Sequence, residues 1–176
     1  MGIIYFARHG ETDIDKQKRF NGGIDFDLNE TGIRQSETLA EKLADIKFDT
    51  IFSSPKKRAV QTCGIVANGK EFTIDDRIGE LVCGVYDGKK KNLFVKIRFL
   101  LALNKGKRGV EHLDDFKARS VSFLESIVES SKDKTVLVVS HTGNATAFDY
   151  FFKGQPKKYS FGKSLVKNGE VLKFEF

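Results

Sequence analysis

Basic side chains follow two apolar stretches of this sequence, at the points where both stretches end. The run Ile3–Ala7 is followed directly by Arg8 and His9, and the β-branched run Lys134–Ser140 is followed directly by His141. Since a buried strand gains nothing from ending in cationic or imidazole side chains, these positions are the first candidates for a functional role.

The residue types indicate the transfer of a phosphoryl group. Such a group carries negative charge spread over its oxygens, and catalysis of its transfer depends mostly on positioning and charge stabilisation. Arginine donates two parallel hydrogen bonds to phosphate oxygens, and Arg58 lies near the start of a predicted helix, whose positive end adds to the attraction. A neutral imidazole can attack phosphorus, and a carboxylic acid is then needed to protonate the departing oxygen.

Alternating strands and helices would bring these residues together. Strands are predicted at Ile3–Ala7, Thr50–Ser53 and Lys134–Ser140, and helices over residues 31–46, from Pro55 with Ser54 as N-cap, over 113–128 and over 145–152. This order predicts an α/β fold, a three-layer α/β/α sandwich with a mostly parallel central sheet. Ligands of such sheets bind beyond the carboxyl ends of the strands. Asn168-Gly169, between "SLVK" and "EVLKFEF", predicts a C-terminal hairpin.

The composition favours one globular domain, residues 1–176. The chain is 40% hydrophobic and 31% charged, and compact domains typically have about 100–200 residues. No apolar stretch approaches the ~20 residues of a membrane span, and no secretory signal is evident, so a cytoplasmic protein is expected. Cys63 and Cys83 are too few and too far apart for a disulfide framework or a zinc site.

The net charge of +6 leaves two interpretations open. The basic residues are dispersed, without the basic and aromatic pattern of a nucleic-acid binder, so no nucleic-acid partner is expected. A positive field that attracts a small anionic substrate is one interpretation, and a contribution to solubility alone is the other.

Several motifs, in order along the chain, resemble the histidine phosphatase superfamily, which includes the cofactor-dependent phosphoglycerate mutases. "RHGET" at Arg8–Thr12 resembles the family signature, and five further blocks follow in the family's order. They are "RFNGGIDFDLNETGIRQ", "SSPKKRAVQT", "IGELVCGVYDG", "GVEHLDDFKAR" and "VLVVSHTGN". The resemblance implies a phosphoglycerate mutase-like fold.

The resemblance also implies a role for each matching residue. His9 would be the nucleophile that is transiently phosphorylated, and Glu80 would protonate the leaving oxygen and then activate water. Arg8, Arg58 and His141 would hold the phosphoryl oxygens. Neither a metal nor a cofactor is required on this scheme, since cationic side chains supply the electrostatic stabilisation. Glu11, Asp13 and Asp87 lie near plausible loops and remain alternatives to Glu80.

Four positions are expected to contact the substrate, and three of them depart from the family pattern. Asp15 stands where the family commonly has Asn, and its carboxylate would repel a phosphate unless it turns away. Asn21 replaces the usual Gln and precedes Gly22, and Thr142 replaces a frequent Gly beside His141. These departures weaken any substrate assignment copied from a relative.

The segment between Gly88 and Gly109 is shorter than the insertion that covers the site in the family's mutases. An open cover lets water reach a phosphohistidine, which favours hydrolysis. The segment is predicted to be helical and apolar on all sides, and therefore packed into the core, with a dimer contact as the alternative. His112, just beyond it, is expected to be an exposed residue at a helix start, or else a substrate contact.

The sequence therefore predicts a metal-independent phosphatase acting on a small phosphorylated metabolite, as a monomer or homodimer. A bisphosphoglycerate-dependent phosphoglycerate mutase and a non-catalytic phosphate-binding module are the alternatives, since a fold alone does not fix function. The leaving group is not identified by the sequence.

Overall fold

A mostly parallel sheet of five strands lies at the centre of the protein. The computed structural model describes residues 1–154 and 166–176. The strands are β1 (Ile3–Arg8), β2 (Thr50–Ser53), β3 (Thr73–Ile74), β4 (Thr135–Ser140) and β5 (Val171–Glu175). Their order is β3-β2-β4-β1-β5, with β5 antiparallel to β1 and the other neighbours parallel. The three strands predicted before the C-terminus are confirmed.

Six helices surround this sheet. They are α1 (Asp13–Lys16), α2 (Glu30–Lys42), α3 (Lys57–Ala67), α4 (Leu93–Leu103), α5 (Leu113–Ser130) and α6 (Thr142–Lys153). Short 3₁₀ turns follow β3, at Asp76–Ile78 and Gly84–Tyr86. The helices α2, α3, α5 and α6 lie where the sequence predicts helices; α5 begins at Leu113 as predicted, and other boundaries shift by a few residues.

The two faces of the sheet carry separate apolar cores, because side chains alternate along each strand. On one face, Ile4, Phe6, Val136 and Val138 pack against α5 and α6, and Phe123 and Phe148 are fully buried there. The other face packs against α2 and α3; its members include Ala7, Leu39, Leu43, Ile51, Cys63, Leu137 and Val139. The predicted three-layer α/β/α sandwich is confirmed.

The start of α3 differs from the prediction. Ser54 is not its N-cap; the helix begins at Lys57, and Lys56 occupies the cap position without a side-chain hydrogen bond. The Ser54 hydroxyl instead lies 2.7 Å from Nε2 of His141. The same hydroxyl also accepts from the Lys56 N–H at 3.3 Å, so it is shared between the start of the helix and a contact across the sheet edge.

The C-terminal strand also pairs differently from the prediction. Ser164 and Leu165 of the predicted first hairpin arm lie outside the described residues, but Lys167 is not in a strand and β5 pairs with β1. The turn itself is present, with Gly169 at a φ of 71°. Its backbone N–H donates to the carbonyls of Arg8 and His9, so the turn packs against the end of β1.

The helix α4 exposes an apolar face, so the expectation of core packing on all sides is wrong. Phe99, Ala102 and Leu103 are buried, in a third apolar cluster with Phe20, Leu81, Cys83, Tyr86, Val110 and Phe116. The opposite face is exposed, and its large apolar members are Leu93, Phe94, Ile97, Leu100 and Leu101. None of the helices in residues 1–154 and 166–176 has the length and apolar character to cross a bilayer.

Candidate active site

The carboxyl ends of three parallel strands place the predicted functional residues side by side. Arg8 at the end of β1 is in register with Ser140 at the end of β4, and Ser53 of β2 lies opposite Val139. The residues that follow β1 and β4 therefore lie close together, and the ring centroids of His9 and His141 are 5.0 Å apart.

The imidazole of His9 is held in one tautomer by its backbone neighbour. Nδ1 lies 2.7 Å from the carbonyl oxygen of Gly10, which can only accept, so Nδ1 carries the proton and Nε2 keeps its lone pair. Burial, followed by the charge of Arg58, lowers the pKa of His9 to about 3, against the opposing effect of Asp15. The ring is thus neutral near pH 7, and Nε2 carries the lone pair that a nucleophile needs, although in this structure it accepts a hydrogen bond from Nε of Arg58.

The loop after His9 is fixed by close backbone packing. The Gly10 N–H donates to the hydroxyl of Thr62 on α3 at 3.0 Å. A Cβ at Gly10 would lie 2.3 Å from the carbonyl oxygen of Gly32, so the start of α2 requires glycine at this position. The amide of Asn168 donates to the His9 carbonyl from the C-terminal turn.

Two arginines flank His9. Arg58 is fully buried, and its Nε lies 3.3 Å from Nε2 of His9, while its other nitrogens donate to the carbonyls of Asn21 and Ile24. Arg8 donates through Nη1 to the Val166 carbonyl, and its buried Nε has no partner within the described residues. Both guanidinium groups are therefore oriented by the fold rather than free in solvent.

The second histidine begins α6. His141 is fully buried, and its Nε2 lies 2.7 Å from the Ser54 hydroxyl. Burial, with Arg58 as the next cause, places the pKa of His141 well below its usual value, so this ring is neutral as well. If Ser54 donates to Nε2, Nδ1 carries a proton, and in residues 1–154 and 166–176 this buried nitrogen has no partner. Thr142 and Gly143, in the first turn of α6, line the same cavity.

Glu80 supplies the carboxyl group of the site. It lines the cavity, and its Oε1 accepts from the N–H of Leu81 at 2.9 Å. Burial raises the pKa of Glu80, although the Leu81 hydrogen bond and the charges of Arg58 and Arg8 act in the opposite direction. A raised pKa favours the protonated form that a general acid needs.

The loop that carries Glu80 is anchored by residues that the sequence reasoning missed. Arg119 of α5 donates to the carbonyls of Arg77, Gly79 and Glu80, and Asn144 of α6 donates to those of Ile78 and Gly79. Arg119 is the last residue of the motif "GVEHLDDFKAR", and Asn144 is the last residue of "VLVVSHTGN". The sequence signal for both residues is therefore that they belong to motifs resembling the family. The partners themselves are carbonyls far along the chain, which no local pattern reveals.

These groups surround a cavity of about 450 Å³. Its lining residues are Arg8, His9, Asp15, Phe20, Asn21, Glu80, Leu81, Cys83, Lys91, Lys96, Phe99, Leu100, Thr142 and Gly143. Arg58 and His141 lie behind the lining, in contact with His9. Three buried side-chain atoms in the described part of the chain lack a hydrogen-bond partner, on Arg8, Asn21 and His141, and all three belong to this site.

Asp15 turns its carboxylate toward the protein. Oδ2 accepts from the N–H and the hydroxyl of Thr12, at 3.1 and 2.7 Å, which forms a capping box at the start of α1. Oδ1 lies 3.8 Å from Nη2 of Arg8. Burial alone would raise the pKa of Asp15, but His9, Thr12 and Arg8 together lower it, so the group stays ionised.

The other expected substrate contacts occupy different positions. Asn21 donates to the Thr12 hydroxyl at 3.3 Å and keeps its Oδ1 unpaired in the cavity wall. The Gly22 N–H donates to Asp87 at 2.8 Å, and Gly22 is not part of the cavity lining. A direct contact between the Gly22 N–H and a ligand would require that bond to break.

The alternative acids lie outside the cavity lining. Asp87 accepts from Gly22 and Gly23, while Glu11 and Asp13 both accept from Asn29. His112 is half-buried, caps α5 by accepting from the Asp114 N–H, and contacts the Asn104 carbonyl. Within residues 1–154 and 166–176, no group of three or more His, Cys, Asp or Glu side chains is arranged to hold a metal ion.

Comparisons with known proteins identify the family of this chain. The family model of the histidine phosphatase superfamily, branch 1, matches residues 4–176. The chain belongs to this superfamily. It is 32% identical over 148 residues to phosphoserine phosphatase 1 of Hydrogenobacter thermophilus, covering 79% of this chain and 70% of that protein.

Two further matches span more of the chain. The 2,3-bisphosphoglycerate-dependent phosphoglycerate mutase of Thermoplasma acidophilum is 28% identical over 174 residues, which cover 97% of this chain and 86% of that protein. The structure of YhfR from Bacillus stearothermophilus aligns with a TM-score of 0.85 at 25% identity, covering 99% of this chain and 91% of that chain. The phosphoglycerate mutase-like fold is confirmed. The match to the histidine phosphatase superfamily and to a phosphoserine phosphatase agrees with the predicted phosphomonoester hydrolase.

Proposed function

We propose that this chain hydrolyses phosphomonoesters through a phosphohistidine formed on His9, without a metal ion or cofactor. The observation that carries the proposal is the fixed imidazole: Nδ1 is bound to the Gly10 carbonyl, and Nε2 lies beside the buried guanidinium of Arg58. This arrangement supports attack of a neutral imidazole on a phosphoryl group beside a stabilising cation.

The first step transfers the phosphoryl group to His9. Nε2 forms a bond to phosphorus while the bond from phosphorus to the leaving oxygen breaks, and the leaving oxygen takes the electron pair and the proton of Glu80. Arg8, Arg58, the Nδ1 proton of His141 and the N–H groups of Thr142 and Gly143 stabilise the charge on the phosphoryl oxygens.

The second step releases phosphate. The ionised Glu80 takes a proton from water as the water oxygen bonds to phosphorus, and the phosphorus–nitrogen bond breaks with its electron pair returning to Nε2. The elevated pKa of Glu80 suits both roles, because the group gives up a proton in one step and regains it in the next.

Hydrolysis of p-nitrophenyl phosphate in excess chelator tests this proposal. We expect the rate to persist in chelator and to fall by at least about 10³-fold in His9→Ala, because the nucleophile is lost. His112→Ala is the matched control, since His112 caps α5 outside the cavity, and it should keep its activity. Acid-labile phosphoryl labelling should appear in the control and be absent from His9→Ala. Activity that needs a metal, or that survives His9→Ala, would sink the mechanism.

The mutase alternative is supported by the similarity to the Thermoplasma acidophilum protein. We favour hydrolysis because the cover over the cavity is the single 11-residue helix α4, which leaves a path for water. Interconversion of 2- and 3-phosphoglycerate at a rate above hydrolysis, primed by the bisphosphate, would decide for the mutase. A non-catalytic phosphate-binding module is the remaining alternative, and labelling of His9 would count against it directly.

We further propose that residues 1–176 act as one domain, since the family model spans nearly all of them. The substrate is a small phosphorylated metabolite rather than nucleic acid, in keeping with the names of the relatives, and the protein acts as a monomer or homodimer.

Both cysteines are buried and unpaired, which is typical of the reducing cytoplasm, the compartment we propose.

A further inference from the structure

One wall of the cavity is apolar. Phe20, Leu81, Cys83, Phe99 and Leu100 form it. Lys91, Lys96 and the residues around the proposed reaction centre line the rest. Phe20, Leu81 and Phe99 are buried members of the third apolar cluster, so the wall is part of a packed core rather than a flexible surface.

The wall is preformed by ring packing. The rings of Phe20 and Phe99 lie 4.6 Å apart, centroid to centroid, and Tyr86 packs edge-on against Phe99 at 5.6 Å. Aromatic groups at these separations attract one another, so the wall does not need to order itself when a ligand arrives.

The cavity is larger than a phosphoryl group requires. Its volume of about 450 Å³ lies within the range of about 300–1,000 Å³ that holds drug-sized ligands. The remaining volume is available to the leaving group, and the chemistry of the walls decides which leaving groups fit.

The α4 side of the cavity offers little to the hydroxyl groups of a sugar. Its polar members are Lys91 and Lys96, which donate hydrogen bonds but accept none. Asp15 is bound to Thr12, and Glu80 is assigned to the leaving oxygen. At the apolar wall itself a polyhydroxylated leaving group would lose hydrogen bonds to water, and Lys91 and Lys96 could replace only those that its hydroxyl oxygens accept.

The apolar surface continues beyond the cavity along α4. Leu100 lines the cavity and is 43% exposed, and Ile97 and Leu93 lie three and seven residues before it, 50% and 76% exposed. This spacing places the three side chains along one face of the helix. An apolar group bound against Leu100 therefore has apolar surface to follow outward.

Resting on the proposed function, we propose that the enzyme acts on phosphomonoesters whose leaving group is an apolar body, an alkyl chain or an aromatic ring. The wall of Phe20, Phe99 and Leu100 is the specificity determinant. Substrates gain affinity in proportion to the apolar area they place against it.

Hydrolysis of methyl, butyl and hexyl phosphate tests the inference, because these esters differ only in chain length. We expect kcat/KM to rise about two- to fourfold per methylene, at least about 30-fold from methyl to hexyl, and to exceed that for glucose 6-phosphate. Leu100→Ser should flatten the series. Leu101→Ser is the matched control, since Leu101 is exposed on the same helix but outside the cavity lining, and it should keep the slope.

Calorimetric binding of methyl- and hexylphosphonate separates this inference from the proposed function, because phosphonates bind without being hydrolysed. Affinity that rises with chain length while no ester is turned over would uphold the apolar wall and overturn the hydrolase. A flat series, a preference for glucose 6-phosphate, or a slope that Leu100→Ser leaves intact overturns the inference. A slope that Leu101→Ser removes to the same extent as Leu100→Ser also overturns the inference. An unchanged slope in both variants, when both have lost a dimer, overturns it as well. If neither esters nor phosphonates bind, both proposals are overturned.

Discussion

The strand-end site and the helix α4 are built in opposite ways. The strand-end site (Arg8, His9, Arg58, His141) is polar and held by hydrogen bonds, with Arg8 partly buried and the other three residues buried. The helix α4 rests on a separate apolar cluster and exposes five large apolar side chains to solvent. The residues proposed for chemistry and those proposed for specificity surround the same cavity but do not share an apolar core. Residues in one set can therefore change without disturbing the packing of the other.

Removing the proposed acid tests the chemical half of the comparison most severely. Glu80→Gln should lower kcat/KM for alkyl phosphates by about 10²–10⁴-fold, with a smaller loss for p-nitrophenyl phosphate, whose leaving group needs no proton.

In the parent enzyme, kcat/KM should fall below pH about 3 as His9 gains a proton, and should fall again as pH rises through the elevated pKa of Glu80, because the acid is lost. Glu80→Gln should lack that upper limb.

A matched control is Glu71→Gln, an exposed carboxylate outside the cavity lining, which should retain both limbs of the pH profile. An unchanged upper limb in Glu80→Gln would remove Glu80 from the role of acid.

The structural difference between the two regions can be measured as stability. Thr62→Val leaves the buried N–H of Gly10 without its acceptor, and we expect a loss of about 1–3 kcal/mol in the free energy of unfolding. Phe94→Ser on the exposed face of α4 should change it by no more than about 0.5 kcal/mol. Urea unfolding gives both values, and Thr38→Val on the exposed side of α2 controls for the Thr-to-Val change itself. Equal losses at Thr62 and Phe94 would contradict the comparison.

The smallest expected effect concerns Asp15, whose negative charge partly neutralises the positive charge of the strand-end site. Asp15→Asn can still accept from Thr12 but removes a negative charge 3.8 Å from Arg8. Inorganic phosphate, as a competitive inhibitor, should then bind about two- to tenfold more tightly. Asp13→Asn, in the exposed first turn of the same helix, should leave the inhibition constant unchanged. Weaker phosphate binding in Asp15→Asn would mean that the carboxylate positions Arg8 more than it opposes the ligand.

Much of the fold could be predicted because its signals are local. The runs Ile3–Ala7, Thr50–Ser53 and Lys134–Ser140 are apolar or β-branched strands in the structure too, and the parallel arrangement follows from the helices between them. The predicted meeting of Arg8-His9 with Ser140-His141 at one edge is confirmed by the register of β1 and β4. The two-residue strand β3 and the short helix α1 were missed, because so few residues carry no periodic signal.

The errors share a physical cause. Ser54 is a good N-cap by local preference, yet its hydroxyl is bound to His141, 87 residues away. The helix α4 is apolar on all sides, which by itself predicts burial, but the third cluster covers one face and leaves the other in solvent. In both cases the outcome depends on which distant surface reaches the residue, and no local pattern contains that information.

The sequence by itself determined the three main parallel strands with the helices between them, the edge at which the basic residues gather and the family to which the chain belongs. Each follows from periodicity, residue type or motif order, which need no knowledge of distant contacts. Only the tertiary structure decided the tautomer of His9, the inward turn of the Asp15 carboxylate and the exposure of α4. These depend on hydrogen bonds and packing between groups whose distances are set by the assembled fold.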